Sequence, residues 1–428
     1  MRNGAYPSLT NCLHEADKGA RGMTTEVSVL PNGVRVASRT LPHCSATAVG
    51  VWLHNGSRHQ AARQSGYAHF LEHLFFKGTR ELDVMQLAQH FERMGGQINA
   101  HTGKELTALH GLVPNEDAPT LLQTLAAMLL DPRFSQHDVE IEREVVLQEM
   151  AMVRDQPEER LEEDLVAQIW PRQAMGWPIL GAEEIVAKLN RDDLRAYLQS
   201  LLCGRRLLVV AVGGAAHAAI VDACTPLAAL PPGVAPKVSA PTFQREHIER
   251  AYGVAQACFS WAMPAPPLTD ASYPAHIIAN HILGGGATSR LFQEVREQRG
   301  LVYGISSQLE SYSDCGLWSI QTACEPEHAD ECRSAVEESV ERLLATGPSA
   351  EELDITRKFA RASVALEQHN LESAMERTAR ELVYFGRPIS LEEHLQKLAA
   401  VHADEVRDSL QRAWAQRAFG MTAPDGSS

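Results

Sequence analysis

Leu112-Val113-Pro114-Asn115-Glu116-Asp117, a helical stretch to Leu130, and then Phe134-Ser135-Gln136-His137-Asp138-Val139-Glu140-Ile141-Glu142-Arg143 follow one another in the first half of the chain. In the second half Cys324-Glu325-Pro326-Glu327-His328-Ala329-Asp330, another helical stretch, and Pro348-Ser349-Ala350-Glu351-Glu352-Leu353-Asp354-Ile355-Thr356-Arg357 replay that order. A recurring order of strand end, turn and helix start is the mark of a duplicated unit. The expectation is therefore an α+β protein of two homologous domains, each a mostly antiparallel sheet packed with helices on one side.

Working outward, Val27 to Arg39 alternates apolar and polar residues around Asn32-Gly33, and Ala46 to His54 alternates again, which predicts strands. Helices are expected at Val84 to Met94 and about His137 to Met152, and strands at Gln97 to Ala100 and Leu106 to Val113. The second half offers a strand at Tyr252 to Met263, helices at Tyr273 to Leu283 and Leu291 to Gln298, and strands at Tyr303 to Leu309 and Leu317 to Ala323. Thr225 to Phe243 holds five prolines and little periodicity, so it reads as a linker. The domain expectation is a poorly ordered extension 1–24, a first domain 25–226, a linker 227–244 and a second domain 245–428.

The chemistry concentrates in Tyr67-Ala68-His69-Phe70-Leu71-Glu72-His73-Leu74-Phe75-Phe76. On a helix His69 and His73 stack one turn apart with Glu72 beside them. Two neutral imidazoles can hold a zinc ion while the carboxylate takes a proton from its water. This order is the inverse of the commoner H-E-x-x-H motif. The second copy does not repeat it: with His69 opposite Ile277, Glu72 meets Asn280 and His73 meets His281. One half reads as metal-binding and the other as its scaffold counterpart. A third ligand is sought in the helix Ile141 to Met150, where Glu142 and Glu149 share a face; the spacing alone favours reading that face as solvated.

Composition narrows the classes. With 44% hydrophobic and 22% charged residues the chain is globular. Its net charge of −15 opposes nucleic acid and anionic membrane surfaces and favours basic partners. Eight cysteines lie scattered without C-x-x-C spacing, so no zinc knuckle is present and a reducing compartment is expected. Residues 1–22 lack an apolar segment, and Leu207 to Val221 is too short and interrupted to span a bilayer. The expected location is cytoplasmic, and Met23 is an alternative start.

His69 to Thr79, Gly96 to Thr102 and Glu142 to Met150, with Leu283 to Tyr303 in the second half, resemble the pitrilysin family of zinc peptidases. Within it they resemble the two-domain branch that includes mitochondrial and bacterial processing peptidases. The resemblance covers roughly residues 25–418. It implies one Zn2+ per chain on His69, His73 and Glu149, with Glu72 as general base and Glu142 orienting the ligands. It also implies that a peptide substrate adds as a β-strand along Asn99 and Ala100. Arg296 and Tyr303 match an arginine and a tyrosine aimed at the bound peptide, Glu159 and Glu163 match acidic residues that recognise arginine near the cut, and Phe76 matches a pocket residue just after it. The stretches His101 to Glu105 and Leu201 to Arg206 depart from the family pattern, and the first of them bears on subsite preference.

The implied function is a zinc metalloendopeptidase that cleaves peptides or presequences in an enclosed chamber. Because that chamber takes four copies of the domain, a homodimer, or a heterodimer with a paralogous chain, is expected. Two alternatives stand beside it. One is a dedicated peptidase for the precursor of a peptide-derived product such as pyrroloquinoline quinone, and the other is a non-catalytic substrate-capturing subunit.

Overall fold

The computed structural model describes residues 25–367 and 369–423, so the expected extension 1–24 lies outside the described residues. The alternating stretches of the first half become β1 (Thr25–Val29), β2 (Arg35–Thr40), β3 (Ala46–Leu53), β4 (Gln97–Thr102), β5 (Thr107–Pro114) and β6 (Leu207–Gly213). They form one sheet in the order β1-β2-β6-β3-β5-β4. Its pairs are antiparallel except β2 with β6. The second half forms β7 (His247–Ala251), β8 (Ala257–Ala265), β9 (Val302–Ser311), β10 (Gly316–Cys324) and β11 (Ala418–Ala423), in the order β7-β11-β8-β10-β9. There too a single pair, β7 with β11, is parallel. Without β1 the two orders are identical, each half inserting its last strand beside its first.

The principal helices of the first half are α1 (Tyr67–Phe75), α2 (Val84–Met94), α3 (Ala118–Leu130), α4 (Gln136–Arg154), α5 (Pro157–Ile169) and α6 (Arg191–Leu201). Those of the second are α7 (Tyr273–Gly284), α8 (Ala329–Thr346), α9 (Ala350–Glu367), α10 (Leu371–Tyr384) and α11 (Ala403–Trp414). Each half has its own core. Val49, Val51 and Leu109 of the first sheet close on Phe70 and Leu74 of α1 and Leu121 and Leu125 of α3. Phe259, Trp261 and Trp318 of the second close on Ile278 and Ile282 of α7 and Val336 of α8.

The other face of each sheet is covered by a helix from the opposite half. Ala374, Met375, Ala379 and Leu382 of α10 pack on Ala37, Ala48, Trp52 and Val210 of the first sheet. Leu161, Leu165 and Ile169 of α5 pack on Cys258, Ala262 and Ala418 of the second. These helices begin at equivalent positions, Pro157 and Leu371, the same offset (371 − 157 = 214) that relates Ile141 to Ile355. The exchange explains the uninterrupted apolar run of β6. A central strand buried on both faces needs apolar residues at every position, not at alternate ones.

A polar clamp also joins the halves. The Arg58 guanidinium donates to Glu105 at 2.7 Å and to Asp314 at 2.8 Å, and Ser313 donates to Glu105 through its backbone N–H and hydroxyl. Arg58 and Glu105 are buried, so this charge is paired inside the protein.

Two expectations need correction. The strand expected from Tyr252 begins only at Ala257, because the chain first turns through Gly253 at φ 69°, a conformation open to glycine. The segment Phe292–Gln298 is helical but wound as a π-helix, a form often found at functional sites. Among the described residues no helix is long and apolar enough to cross a membrane, and the seven cysteines are free thiols.

Candidate metal centre

Helix α1 starts where two glycine backbones touch. Gly66 caps it at φ 92°, and a Cβ on Gly181 would fall 2.3 Å from the Gly66 Cα, so only glycine lets the segment before residue 181 lie across the helix start. Tyr67, Phe70, Leu71, Leu74 and Phe75 sink into the core. Anchored on those sides, the helix presents His69, Glu72 and His73 together, with the two imidazole centroids 4.8 Å apart.

Helix α4 supplies the carboxylates. Ser135 caps its start by accepting from the Asp138 N–H, and it runs past α1 so that Glu149 Oε2 stands 3.7 Å from His69 Nε2 and 3.5 Å from His73 Nε2. Two turns toward its start, buried Glu142 lies 3.0 Å from His73 Nδ1 and 2.5 Å from Lys77 Nζ. This fixes the tautomer. A proton held on Nδ1 by Glu142 leaves Nε2 free to face Glu149 and His69.

The environment tunes each group differently. Burial, and then the neighbouring His73, push His69 down to about 4, so it is neutral at pH 7. Burial also disfavours charge on His73, but its bond to Glu142 and the surrounding carboxylates outweigh that and raise its pKa. Glu142 is disfavoured by burial yet ends below the usual carboxylate range because His73 and Lys77 both donate to it. Burial raises Glu72, opposed by Thr102, His73 and His101. Among the described residues its Oε2 has no hydrogen-bond partner, leaving a proton acceptor free beside the three donors.

His69, Glu72 and Glu149 open into a cavity of about 1030 Å³ between the halves. Its walls include Lys104 and Glu159, Glu162 and Glu163 from the first half and Glu310, Tyr312, Glu376 and Tyr384 from the second. Glu159 and Glu163 thus share a cavity with the metal helix. Glu162 joins them, and the repeated pairs Glu158-Glu159 and Glu162-Glu163 are the local signal for it. Lys104, Thr102 and Lys77 were also missed, since a lone Lys or Thr carries no spacing.

Asn99 and Ala100 lie on β4, at the sheet edge. The Ala100 N–H donates to the Asn99 side chain at 2.9 Å. Phe76 packs half-buried against the first core and does not line the cavity. Arg296 and Tyr303 meet each other, the Arg296 Nε donating to the Tyr303 carbonyl at 2.8 Å. Neither lines the cavity, and Tyr303 is 93% exposed.

The ligand atoms of His69, His73 and Glu149 lie within 4.8 Å of one another. Two imidazole nitrogens and a carboxylate oxygen are a donor set suited to catalytic zinc, which takes three protein ligands and keeps a fourth position open. The residues present fit the ion.

A duplicated α+β fold with one inverted His-Glu-His centre defines a class of metallopeptidase-like proteins. Sequence comparison places the chain within it: Insulinase (Peptidase family M16) matches residues 35–183, and Peptidase M16 inactive domain matches residues 188–359. An uncharacterized zinc protease of Bacillus subtilis, YmxG, is 30% identical over 92% of this chain and 97% of its own length. An uncharacterized zinc protease of Streptomyces coelicolor is 30% identical over 91% of this chain and 87% of its own. The chain belongs to peptidase family M16. A protease from Helicobacter pylori has the same fold, with a TM-score of 0.87 at 18% identity over 94% of this chain and 100% of that one. So does the peptidase M16 inactive domain structure from Pseudomonas fluorescens, at TM-score 0.85 and 19% identity over 94% and 98%.

Proposed function

We propose that the protein is a zinc-dependent endopeptidase acting on extended peptides. The observation that carries this reading is the unpaired Glu72 Oε2 beside the converging Nε2 atoms of His69 and His73 and the Oε2 of Glu149, in a cavity of about 1030 Å³. A zinc ion held by these three supplies Lewis acidity and makes water acidic enough to attack an amide at neutral pH. Glu72 takes the proton from that water and returns it to the leaving amine. Its raised pKa brings it nearer the working pH than an exposed carboxylate would be. Glu142 holds His73 in the tautomer that leaves Nε2 available. The peptide aligns on the β4 edge, replacing the bond between Asn99 and the Ala100 N–H with backbone bonds of its own. Glu159 and Glu163 then attract a basic side chain upstream of the cut.

The working unit in this proposal is a dimer. Tyr303 is exposed with half-buried Arg296 beside it, neither lines their own chain's cavity, and in this proposal both serve a partner's bound peptide. Two matched apolar rows support the same reading. Ile141, Val145 and Met152 on α4, and Ile355, Phe359 and Leu366 on α9, are all exposed and stand at equivalent positions. Glu149 falls in the first row by helical period, so a chain that covers it also covers the metal centre.

The deciding experiment is Glu72→Gln. The variant is expected to keep its zinc and lose at least about a thousandfold in kcat, because a base is removed without a ligand. Loss of the metal, or retained cleavage of an unstructured peptide, would refute the assignment.

A further inference from the structure

A second set of metal-type donors borders the same cavity. His101 on β4 and His110 on β5 are diagonal neighbours on one face of the sheet, since Asn99 pairs with His110 and His101 with Ala108. Their ring centroids are 5.6 Å apart. Helix α10, from the opposite half, lies across that face and presents two carboxylates one turn apart. Glu376 Oε1 stands 4.0 Å from His101 Nδ1, and Glu372 Oε1 stands 3.8 Å from His110 Nδ1. Donor atoms of His101, His110 and Glu376 all lie within 4.8 Å of one another.

The cluster is unsatisfied as it stands. Among the described residues, His110 Nδ1 and Glu376 Oε1 are buried without a hydrogen-bond partner. The Trp52 indole N–H, on a side chain only 1% exposed, acts on the Glu376 carboxylate and favours its charged form. Buried polar atoms left unpaired are costly unless something engages them. A cation between the imidazoles and Glu376 would engage both directly. It would also draw Glu376 into a fixed position against the Trp52 N–H.

We propose that His101, His110 and Glu376, with Glu372 as an alternate carboxylate, form a second divalent-cation site. Two imidazoles and a carboxylate select first-row transition ions such as zinc over magnesium or calcium, which prefer oxygen ligands. The site is weaker than the His69 centre for two reasons. His101 Nδ1 stands 4.0 Å from Glu376 Oε1, against 3.5 Å from His73 Nε2 to Glu149 Oε2 at the other centre. A tetrahedral ion brings donors to roughly 3.4 Å, so exposed His101 must first be drawn inward. The ion would tie the substrate-bearing edge strand to a helix of the opposite half, beside Glu72. Its occupancy should therefore stiffen the strand on which the peptide is proposed to align, and excess zinc should inhibit.

The test is equilibrium dialysis of the full chain against a rising zinc series, with bound metal measured by atomic absorption. Wild type is expected to reach two ions per chain, one tight and one weaker. His101→Asn and Glu376→Gln should each keep the tight ion and weaken the other at least about tenfold. His73→Gln should do the reverse, which separates this site from the centre on α1. His101 is exposed, so its variant is expected to fold with an unchanged thermal midpoint in the absence of metal. Saturation of wild type at one ion, or binding by His101→Asn with wild-type stoichiometry and affinity, overturns the proposal.

Discussion

His73 is held from two directions: Glu142 grips Nδ1 at 3.0 Å while Nε2 points to Glu149 at 3.5 Å. Glu142 is in turn held by Lys77. A carboxylate in this position raises the basicity of its imidazole and locks its orientation, so Glu142→Gln is expected to weaken zinc binding by about 10–100-fold. Competition with a chelator of known affinity measures this, and an unchanged zinc affinity would remove Glu142 from the positioning role. Lys104 offers a different test, of charge inside the cavity wall. Its ammonium donates to the Trp177 carbonyl at 2.5 Å, and burial lowers its pKa to about 8 against the pull of Glu163, Glu310 and Glu162. Below pH 8 both folded and unfolded chains carry the proton; from there to the ordinary value of 10.5 only the unfolded chain does. Stability from this group therefore rises with pH across that window. Relative to Lys104→Met, wild type should gain up to roughly 3 kcal/mol between the two values. Urea unfolding at intervals across the window reads the difference, and parallel curves for the two proteins would contradict the depressed pKa.

Helix α5 does two jobs at once. Leu161, Leu165 and Ile169 pin it to the opposite half's sheet, while Glu159, Glu162 and Glu163 line the cavity. Burial raises the pKa of both Glu162 and Glu163 against the pull of Lys104, with Glu310 and Glu159 adding to Glu162 and Asp164, Glu159 and Glu162 adding to Glu163, so the wall is poised to accept a cation. Peptides carrying Arg upstream of the cut are expected to show kcat/KM about tenfold above matched neutral peptides. Glu159→Gln/Glu163→Gln should erase most of that preference; equal rates for both peptide sets in wild type would sink the idea. The helix itself shows what a sequence can and cannot disclose. The pair His69 and His73 was readable because one helix carries both, and the element order was readable because each half repeats it. Glu149 is 76 residues beyond His73 (149 − 73), and residue spacing left it undecided until the resemblance pointed to it. The exchange of α5 and α10 was not readable, because an amphipathic helix does not state which sheet it covers. Its one trace was β6, apolar at every position. His101, His110 and Glu376 were hidden for a related reason: two strands and a helix of the other half bring them together, and no local period links them.

At the scale of the whole molecule, the halves are bound by the exchanged helices and by the buried Arg58, Glu105 and Asp314 clamp, yet the chain has parts that its own fold does not use. Tyr303 stands 93% exposed on an edge strand, next to Arg296 on a π-helical turn, and neither reaches the cavity. An exposed tyrosine beside an arginine is chemically suited to a peptide carbonyl and its developing negative charge. In the proposed dimer these two serve the partner's metal centre, and a twofold axis makes the arrangement reciprocal. Complementation tests this directly. Glu72→Gln and Tyr303→Phe are each expected to be inactive or severely impaired alone. In a mixed dimer, the intact Glu72 of one chain meets the intact Tyr303 of the other, so one of the two sites is wholly wild type and its companion carries both changes. After free exchange of equal amounts, half the dimers are mixed and activity should return to about a quarter of the wild-type level. Exchange itself must be read independently, by mass spectrometry of differently tagged chains. Proven exchange with no recovery would mean that Tyr303 acts within its own chain or takes no part in the reaction.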